Sequence, residues 1–212
     1  SKNIVKQHGR RDPNYEFGTN PCSEIILRPS QFCNLTEIII RAEDTIEEIK
    51  RKAKIATILG TIQSTLTYFP YLRKEWKENT EAERLLGVSM TGILDNNLLN
   101  NPDNPNLPHL LESVRQVCIE TNEFLALDLG IERSGAITCV KPSGTVSQLV
   151  NTASGLHPRH AKYYYRRVRN DNKDPLNQFM IEQGIPNEPD ISKPNSTTVF
   201  TFPIKATENA TT

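Results

Sequence analysis

Between residues 25 and 202 the chain alternates short apolar, β-branched runs with longer amphipathic stretches, and this alternation constrains its fold more than any other feature. Ile25-Ile26-Leu27 is an extended stretch stopped by Arg28-Pro29. Phe32 to Arg41 is a second, with Ile38-Ile39-Ile40 supplying β-branched residues. Asp44-Thr45-Ile46-Glu47 predicts a helix cap at Asp44 with its box partner three residues on. Ile46, Ile49, Ala53, Ala56, Leu59, Ile62 and Leu66 then keep a helical period that ends near Tyr68-Phe69-Pro70. A polar helical stretch is expected around 80–95, then an Asn- and Pro-rich loop from Asn96 to Pro108. The next helix, 109–129, should bury Leu110, Leu111, Val114, Val117, Cys118 and Phe124, and Gly130 should close it. Ala136 to Val140 reads as a buried strand, 175–184 as a helix and Thr197 to Phe202 as a last strand. Strands separated by helices predict an α/β fold with largely parallel pairing.

Composition narrows the function classes. Acidic and basic residues balance at 25 each, so no global field draws the chain to nucleic acid or a membrane surface. No apolar run approaches the roughly 20 residues that cross a bilayer, and no signal-peptide pattern opens the sequence, which predicts a cytoplasmic protein. Residues 1–19 read as polar and irregular, with turns at Gly9 to Pro13 and at Gly18. The first residue is Ser1 rather than Met, and Asn209-Ala210-Thr211-Thr212 closes no element, so the chain reads as a piece of a longer protein. Cysteines stand at 22, 33, 118 and 139 without C-x-x-C or zinc-type Cys/His spacing, and in a reducing compartment they are expected to be thiols.

The most informative segment is Gly18-Thr19-Asn20-Pro21-Cys22-Ser23-Glu24-Ile25. Pro21 disfavours helix at Asn20, so the local chain is expected to be extended, with Asn20, Cys22 and Glu24 facing one way. An amide, a thiol and a carboxylate presented together form either a reactive site or an exposed turn with an incidental cysteine. Cys33, in Phe32-Cys33-Asn34-Leu35-Thr36-Glu37, would ordinarily be a small buried hydrophobe on a strand. Cys118 falls on the apolar face of its helix, where packing is the expected role. Pro142-Ser143-Gly144-Thr145-Val146-Ser147, preceded by Lys141, follows a strand and opens a helix. It is either an ordinary capped turn or an anion site that offers backbone N–H groups, the hydroxyls of Ser143, Thr145 and Ser147, and close approach at Gly144, although it is not a Walker A loop. Ser154 to Arg169 combines Tyr163-Tyr164-Tyr165 with Arg166, Arg167 and Arg169, which suits either a solvated strand edge or a nucleic-acid-binding patch.

Asn-Pro-Cys-x-Glu-Ile resembles the finger loop of ribonucleotide reductases. Cys33 in its Cys-Asn-Leu context and the Pro-Ser-Gly-Thr turn follow in the family's order, so the resemblance spans Gly18 to about Arg169. It implies one incomplete catalytic segment over 1–212, part of a ten-stranded α/β barrel with a central finger loop. In that family Cys22 would carry a thiyl radical that abstracts the ribose 3′ hydrogen. Glu24 would be the general base, Asn20 would hydrogen-bond substrate hydroxyls or Glu24, and Cys33 would belong to the cysteine pair that reduces the 2′ carbon. The partner cysteine would lie upstream, and no family position matches Cys118 or Cys139. Pro142, Ser143, Gly144, Thr145 and Ser147 would bind the phosphates of a ribonucleoside tri- or diphosphate. Pro-Ser-Gly-Thr and the Gly-x-His-Pro-Arg stretch resemble the branch that uses adenosylcobalamin, whereas a di-iron enzyme would take its radical from a partner subunit. A thioredoxin or similar dithiol would restore the cysteines, and the remaining part of the reductase chain would complete the site. The isolated segment is expected to be inactive and to associate. No metal ligand, membrane or nucleic-acid partner is implied.

Overall fold

The computed structural model describes residues 11–208 and 210–212, so the expected turn around Gly9 lies partly outside the described residues. The chain divides into two compact units, one reaching Pro158 and the other running from Arg159 to Glu208.

In the first unit a minimal antiparallel hairpin, β1 (Gly18–Thr19) with β2 (Ile26–Leu27), precedes β3 (Asn34–Ile39). Helix α1 (Ile46–Gln63) and helix α2 (Lys74–Glu83) lead to β4 (Leu86–Thr91), which lies parallel to β3 with Asn34 opposite Leu86 and Ile39 opposite Thr91. Helix α3 (Leu107–Asp128) follows, and Thr138 then forms a parallel bridge to Val88. The sheet is sided. Ile38, Ile40 and Val88 pack with Ile49, Ala53 and Ala56 of α1 and with Val114 and Cys118 of α3 in one buried cluster. Fully buried Asn122 links the helices by donating from Nδ2 to Thr61 Oγ1 (2.9 Å) and to Ser134 Oγ (3.0 Å). Alternation along a strand puts Leu35 and Gly87 on the opposite face, where Gly87 lies against Leu35, Cys139 and Ile25.

Several expectations need correction. The α1 cap is Thr45, with Glu48 completing the box, one residue beyond the expected Asp44 and Glu47. Asp44 instead accepts the Arg41 N–H (2.7 Å) and pairs with Lys52. Helix α1 stops at Gln63 rather than near Tyr68, so Leu66 lies beyond it, and Leu59 (58%), Ile62 (49%) and Leu66 (71%) are exposed. In α3, Leu111 and Phe124 are exposed as well, while Val114 and Cys118 are buried as expected. The polar helix expected at 80–95 is two elements, the end of α2 and the strand β4. Strand β4 is buried nearly throughout, as parallel strands covered on both faces are, so it carries no alternation to read. Ala136 to Val140 is joined to β4 by three backbone bonds and one bridge rather than a full ladder, Leu86 N–H to Ala136 O (3.0 Å), Val88 N–H to Ile137 O (2.8 Å) and Cys139 N–H to Val88 O (3.0 Å), and Val140 is exposed.

The second unit is antiparallel, not parallel: β5 (Tyr163–Asp171) pairs β7 (Thr197–Lys205), which pairs β6 (Asn187–Pro189), with α5 (Pro175–Glu182) between β5 and β6 in sequence. Asp174 caps α5 by accepting the Leu176 N–H at 2.9 Å. Among the described residues, no helix is long and apolar enough to cross a membrane.

Candidate functional site

Asn20 to Ile25 forms the tip of the β1–β2 hairpin rather than an extended strand. Ser23 N–H donates to Asn20 O (2.9 Å), Asn20 N–H to Ile25 O (3.3 Å), and Ile25 N–H to the Asn20 side-chain oxygen (3.0 Å). Pro21 therefore stands at the second position of a tight turn, a place its fixed φ favours, and Ser23 takes a positive φ of 63°. The expected one-sided display of Asn20, Cys22 and Glu24 is corrected accordingly. The amide oxygen of Asn20 ties the tip together, Cys22 is exposed, and Glu24 turns into the protein. Both Glu24 carboxylate oxygens are shielded from solvent and have no hydrogen-bond partner among the described residues.

Cys33 sits one residue before β3, partly buried. Burial pushes its thiol pKa up, the Glu24 charge adds to the rise, and Lys141 partly offsets it. Cys139 responds to the same neighbours: burial, then Glu24 and Cys33, push it up to about 12 against the pull of Lys141. Residues from three separate segments, Glu24, Cys33 and the Cys139–Lys141 stretch, thus share one electrostatic neighbourhood. The sequence placed Glu24 and Cys33 near one another but left Cys139 aside. Its proximity arises from the Val88–Thr138 bridge, a pairing across 50 residues that no local signal encodes. Cys118 is buried on α3, as its helical face predicted.

The turn from Pro142 to Ser147 does run into a helix, α4 (Thr145–Leu149), but its hydroxyls are used differently from expectation. Ser143 (5% exposed) and Ser147 (0%) are buried. Ser147 N–H donates to Ser143 Oγ (3.2 Å), and Ser147 Oγ donates to Gly144 O (2.9 Å), so both serines staple the turn instead of pointing outward. Pro142, Gly144, Thr145 and Val146 are the exposed members, and a methyl at Gly144 would meet nothing within 4 Å. The turn is seated by the segment that follows it: Ser154 Oγ donates to Ser143 O, and Gly155 N–H donates to Thr91 Oγ1 (3.0 Å). Gly155, at φ +54°, passes so close that a Cβ would stand 3.0 Å from Lys141 O. The turn is thereby fastened to the carboxyl end of a parallel strand, the end at which α/β sheets bind ligands.

The Tyr163 to Arg169 segment is a strand in which two of the three arginines have a carboxylate partner, while Arg166 donates to Tyr164 Oη (3.3 Å). Arg167 pairs with Glu188, and Arg169 with Asp190 (2.7 Å), both within the second unit. Tyr163 and Tyr165 are exposed on the face they share. This arrangement matches a solvated strand edge better than a surface for phosphates. Among the described residues, no group of three or more His, Cys, Asp or Glu is placed to hold a metal ion.

No protein-family model matches the chain. It is 27% identical over 224 residues to the adenosylcobalamin-dependent ribonucleoside-triphosphate reductase of Lacticaseibacillus paracasei, covering 95% of this chain and 29% of that protein. It is 30% identical over 193 residues to the protein of the same name from Euglena gracilis, covering 90% of this chain and 25% of that one. A crystal structure of a B-12 dependent (class II) ribonucleotide reductase superposes with a TM-score of 0.74 at 27% identity, over 92% of this chain and 30% of that chain. The chain therefore spans under a third of the length of the relatives it matches. In sequence and in mixed α/β fold, this chain is similar over about nine-tenths of its length to one segment of adenosylcobalamin-dependent ribonucleotide reductases.

Proposed function

We propose that this chain forms the radical-bearing part of the active site of an adenosylcobalamin-dependent ribonucleotide reductase acting on ribonucleoside tri- or diphosphates. The observation that carries the reading is the hairpin tip, where an exposed Cys22 stands two residues from a shielded, unpartnered Glu24 whose charge is felt at Cys33. Cys22, as a thiyl radical, abstracts the ribose 3′ hydrogen. Glu24 takes the 3′ hydroxyl proton, and its orphaned oxygens suit a base whose partner is the substrate itself. The Asn20 amide nitrogen remains to hydrogen-bond a substrate hydroxyl. The 2′ hydroxyl leaves as water, and Cys33 and an upstream cysteine supply the two electrons and two protons and end as a disulfide, which a thioredoxin-type dithiol reduces. The raised pKa of Cys33 suits this role, because it keeps the thiol protonated at neutral pH. Pro142 to Thr145 receives the phosphates through exposed backbone and Thr145, with Ser143 and Ser147 shaping the turn from behind.

Exposure of Cys22 fits a thiol that must receive its radical from outside its own segment. Adenosylcobalamin, when bound, would supply the initiating radical, and Cys22 would be the residue of this chain that becomes a thiyl by giving up its thiol hydrogen atom. The names of the relatives favour this cofactor over a di-iron partner subunit. Strands β3, β4 and the Thr138 segment would join strands from the rest of the reductase in a ten-stranded barrel around the hairpin.

The test uses the intact reductase. Cys22→Ser should abolish 2′ reduction while nucleotide binding persists, because the serine O–H bond is too strong for the hydrogen transfer. Cys33→Ser should still activate substrate but release free base in place of deoxynucleotide. Turnover of Cys22→Ser within about tenfold of the parent, about 1.4 kcal/mol of barrier, would overturn the assignment.

A further inference from the structure

Strands β1 and β2 have two residues each, and so short a hairpin is not stable by itself. Its support comes from α2. Trp76, Asn79, Thr80 and Glu83 stand at i, i+3, i+4 and i+7 and so share one helix face. That face grips the link from Arg28 to Phe32, which joins the hairpin to Cys33. Asn79 Nδ2 donates to Pro29 O (2.9 Å), Gln31 Nε2 donates to Asn79 O (2.9 Å), and the Phe32 N–H donates to Thr80 Oγ1 (3.2 Å). The Phe32 ring packs on Trp76 with centroids 4.6 Å apart. At the end of the face, fully buried Glu83 receives two bonds from Arg11 (both 2.9 Å), one from Gln31 (2.7 Å), and an ion pair from Arg28 (3.2 Å). Arg11 also donates to Ile26 O in β2 (2.9 Å), and Arg28 directly follows β2. The base of the hairpin therefore closes on one carboxylate.

Cys33 has a further anchor, on its other side, that does not involve that carboxylate. The next residue, Asn34, is bonded to Leu85 O through both its backbone N–H (2.8 Å) and its side chain (3.1 Å). We propose that α2 is a clamp that sets the Cys22–Glu24 tip relative to Cys33, with Glu83 as its positioning residue. Neutralising Glu83 removes the carboxylate that two buried guanidinium groups share among the described residues, which loosens the hairpin base but not β3. The group that activates the substrate is then displaced from the group that reduces it.

The inference rests on the ribonucleotide reductase reading, and its test separates the two. In the intact reductase, Glu83→Gln should leave KM within about twofold, lower kcat about tenfold, and raise the ratio of released base to deoxynucleotide about tenfold, the size a barrier change of about 1.4 kcal/mol produces. Asn79→Ala, which removes only the bond to Pro29, should move the ratio in the same direction by less. A general loss of folded enzyme lowers both products together and leaves the ratio unchanged, and that result overturns the clamp. If Glu83→Gln does not fold, the ratio for Asn79→Ala decides in the same way. A parent enzyme that makes no deoxynucleotide overturns the functional reading itself.

Discussion

Replacing Gly87 by alanine tests how closely the hairpin, the sheet and the Cys139 segment are fitted together. Gly87 lies in β4 opposite Leu35. A methyl there would stand 2.4 Å from Leu35 Cδ2, 3.2 Å from Cys139 Sγ and 3.2 Å from Ile25 Cδ1. The first contact requires Leu35 to leave its position, and the others require shifts of a few tenths of an ångström. Such overpacking costs about 1–3 kcal/mol, while removing a glycine from a strand returns about 0.5–1 kcal/mol. The net expectation is a loss of about 1 kcal/mol. With a urea slope of about 1–3 kcal/mol per molar, the midpoint should fall by roughly 0.5 M. The assay is urea unfolding followed through Trp76, the single tryptophan of the chain, which packs on Phe32 beside the hairpin. Gly144→Ala is the matched control, since a methyl there meets nothing within 4 Å and should be neutral or slightly stabilising. If Gly87→Ala is as stable as the parent or more so, the three-way packing argument fails.

Two further outcomes follow from the same geometry. Burial raises the pKa of Glu83, but the Arg11 and Gln31 hydrogen bonds and the Arg11 and Arg28 charges outweigh it and hold the carboxyl below its ordinary value. A depressed carboxylate contributes stability that is present above its unfolded pKa of about 4.3 and is lost as pH falls through the lower folded value. Amide exchange protection of Gly18 to Leu27 should therefore persist down to that range, and loss of protection near pH 6 would refute the assignment. At the turn, Ser143→Ala removes the acceptor of the Ser147 N–H and should weaken nucleotide binding by only about 1 kcal/mol. Gly144→Pro deletes a donor and fixes φ near −65°, so it should be far more harmful. Equal, negligible effects in titration calorimetry would place the phosphates elsewhere.

Those features of the fold that reside in neighbouring residues were legible in the sequence. The run from Asn34 to Ile39, the turn from Pro142 into a helix and the buried face at Val114 and Cys118 all carry local signals. The cap at Thr45 was missed by one residue because Asp44 and Thr45 are both competent caps. Strand β4 escaped because it has no exposed face, and a period needs two environments to alternate between. In the candidate site, Cys22 and Glu24 are singled out by one motif and Cys33 by its own Cys-Asn-Leu context, but neither encodes the path of the tip. Pro21 was read as enforcing extension, although the same ring also favours the second position of a turn. Arg11, Arg28 and Glu83 were invisible as a group because charged residues ordinarily face solvent, and only the tertiary fold buries these three together.

The bond between Arg11 and Glu83 spans 72 residues, and this separation bears on how the protein is made. Closing so long a loop costs entropy that a two-residue hairpin cannot recover alone. In a chain synthesised from its N-terminus, residues 18–27 emerge well before α2 exists to receive them. Cys22 should therefore be among the last groups to reach a fixed position, after β3 has paired with β4 and drawn the end of α2 into place. A nascent or truncated chain ending before Glu83 would carry the thiol on an untethered tip. Reactivity would then be conferred only on molecules whose surrounding fold is already built.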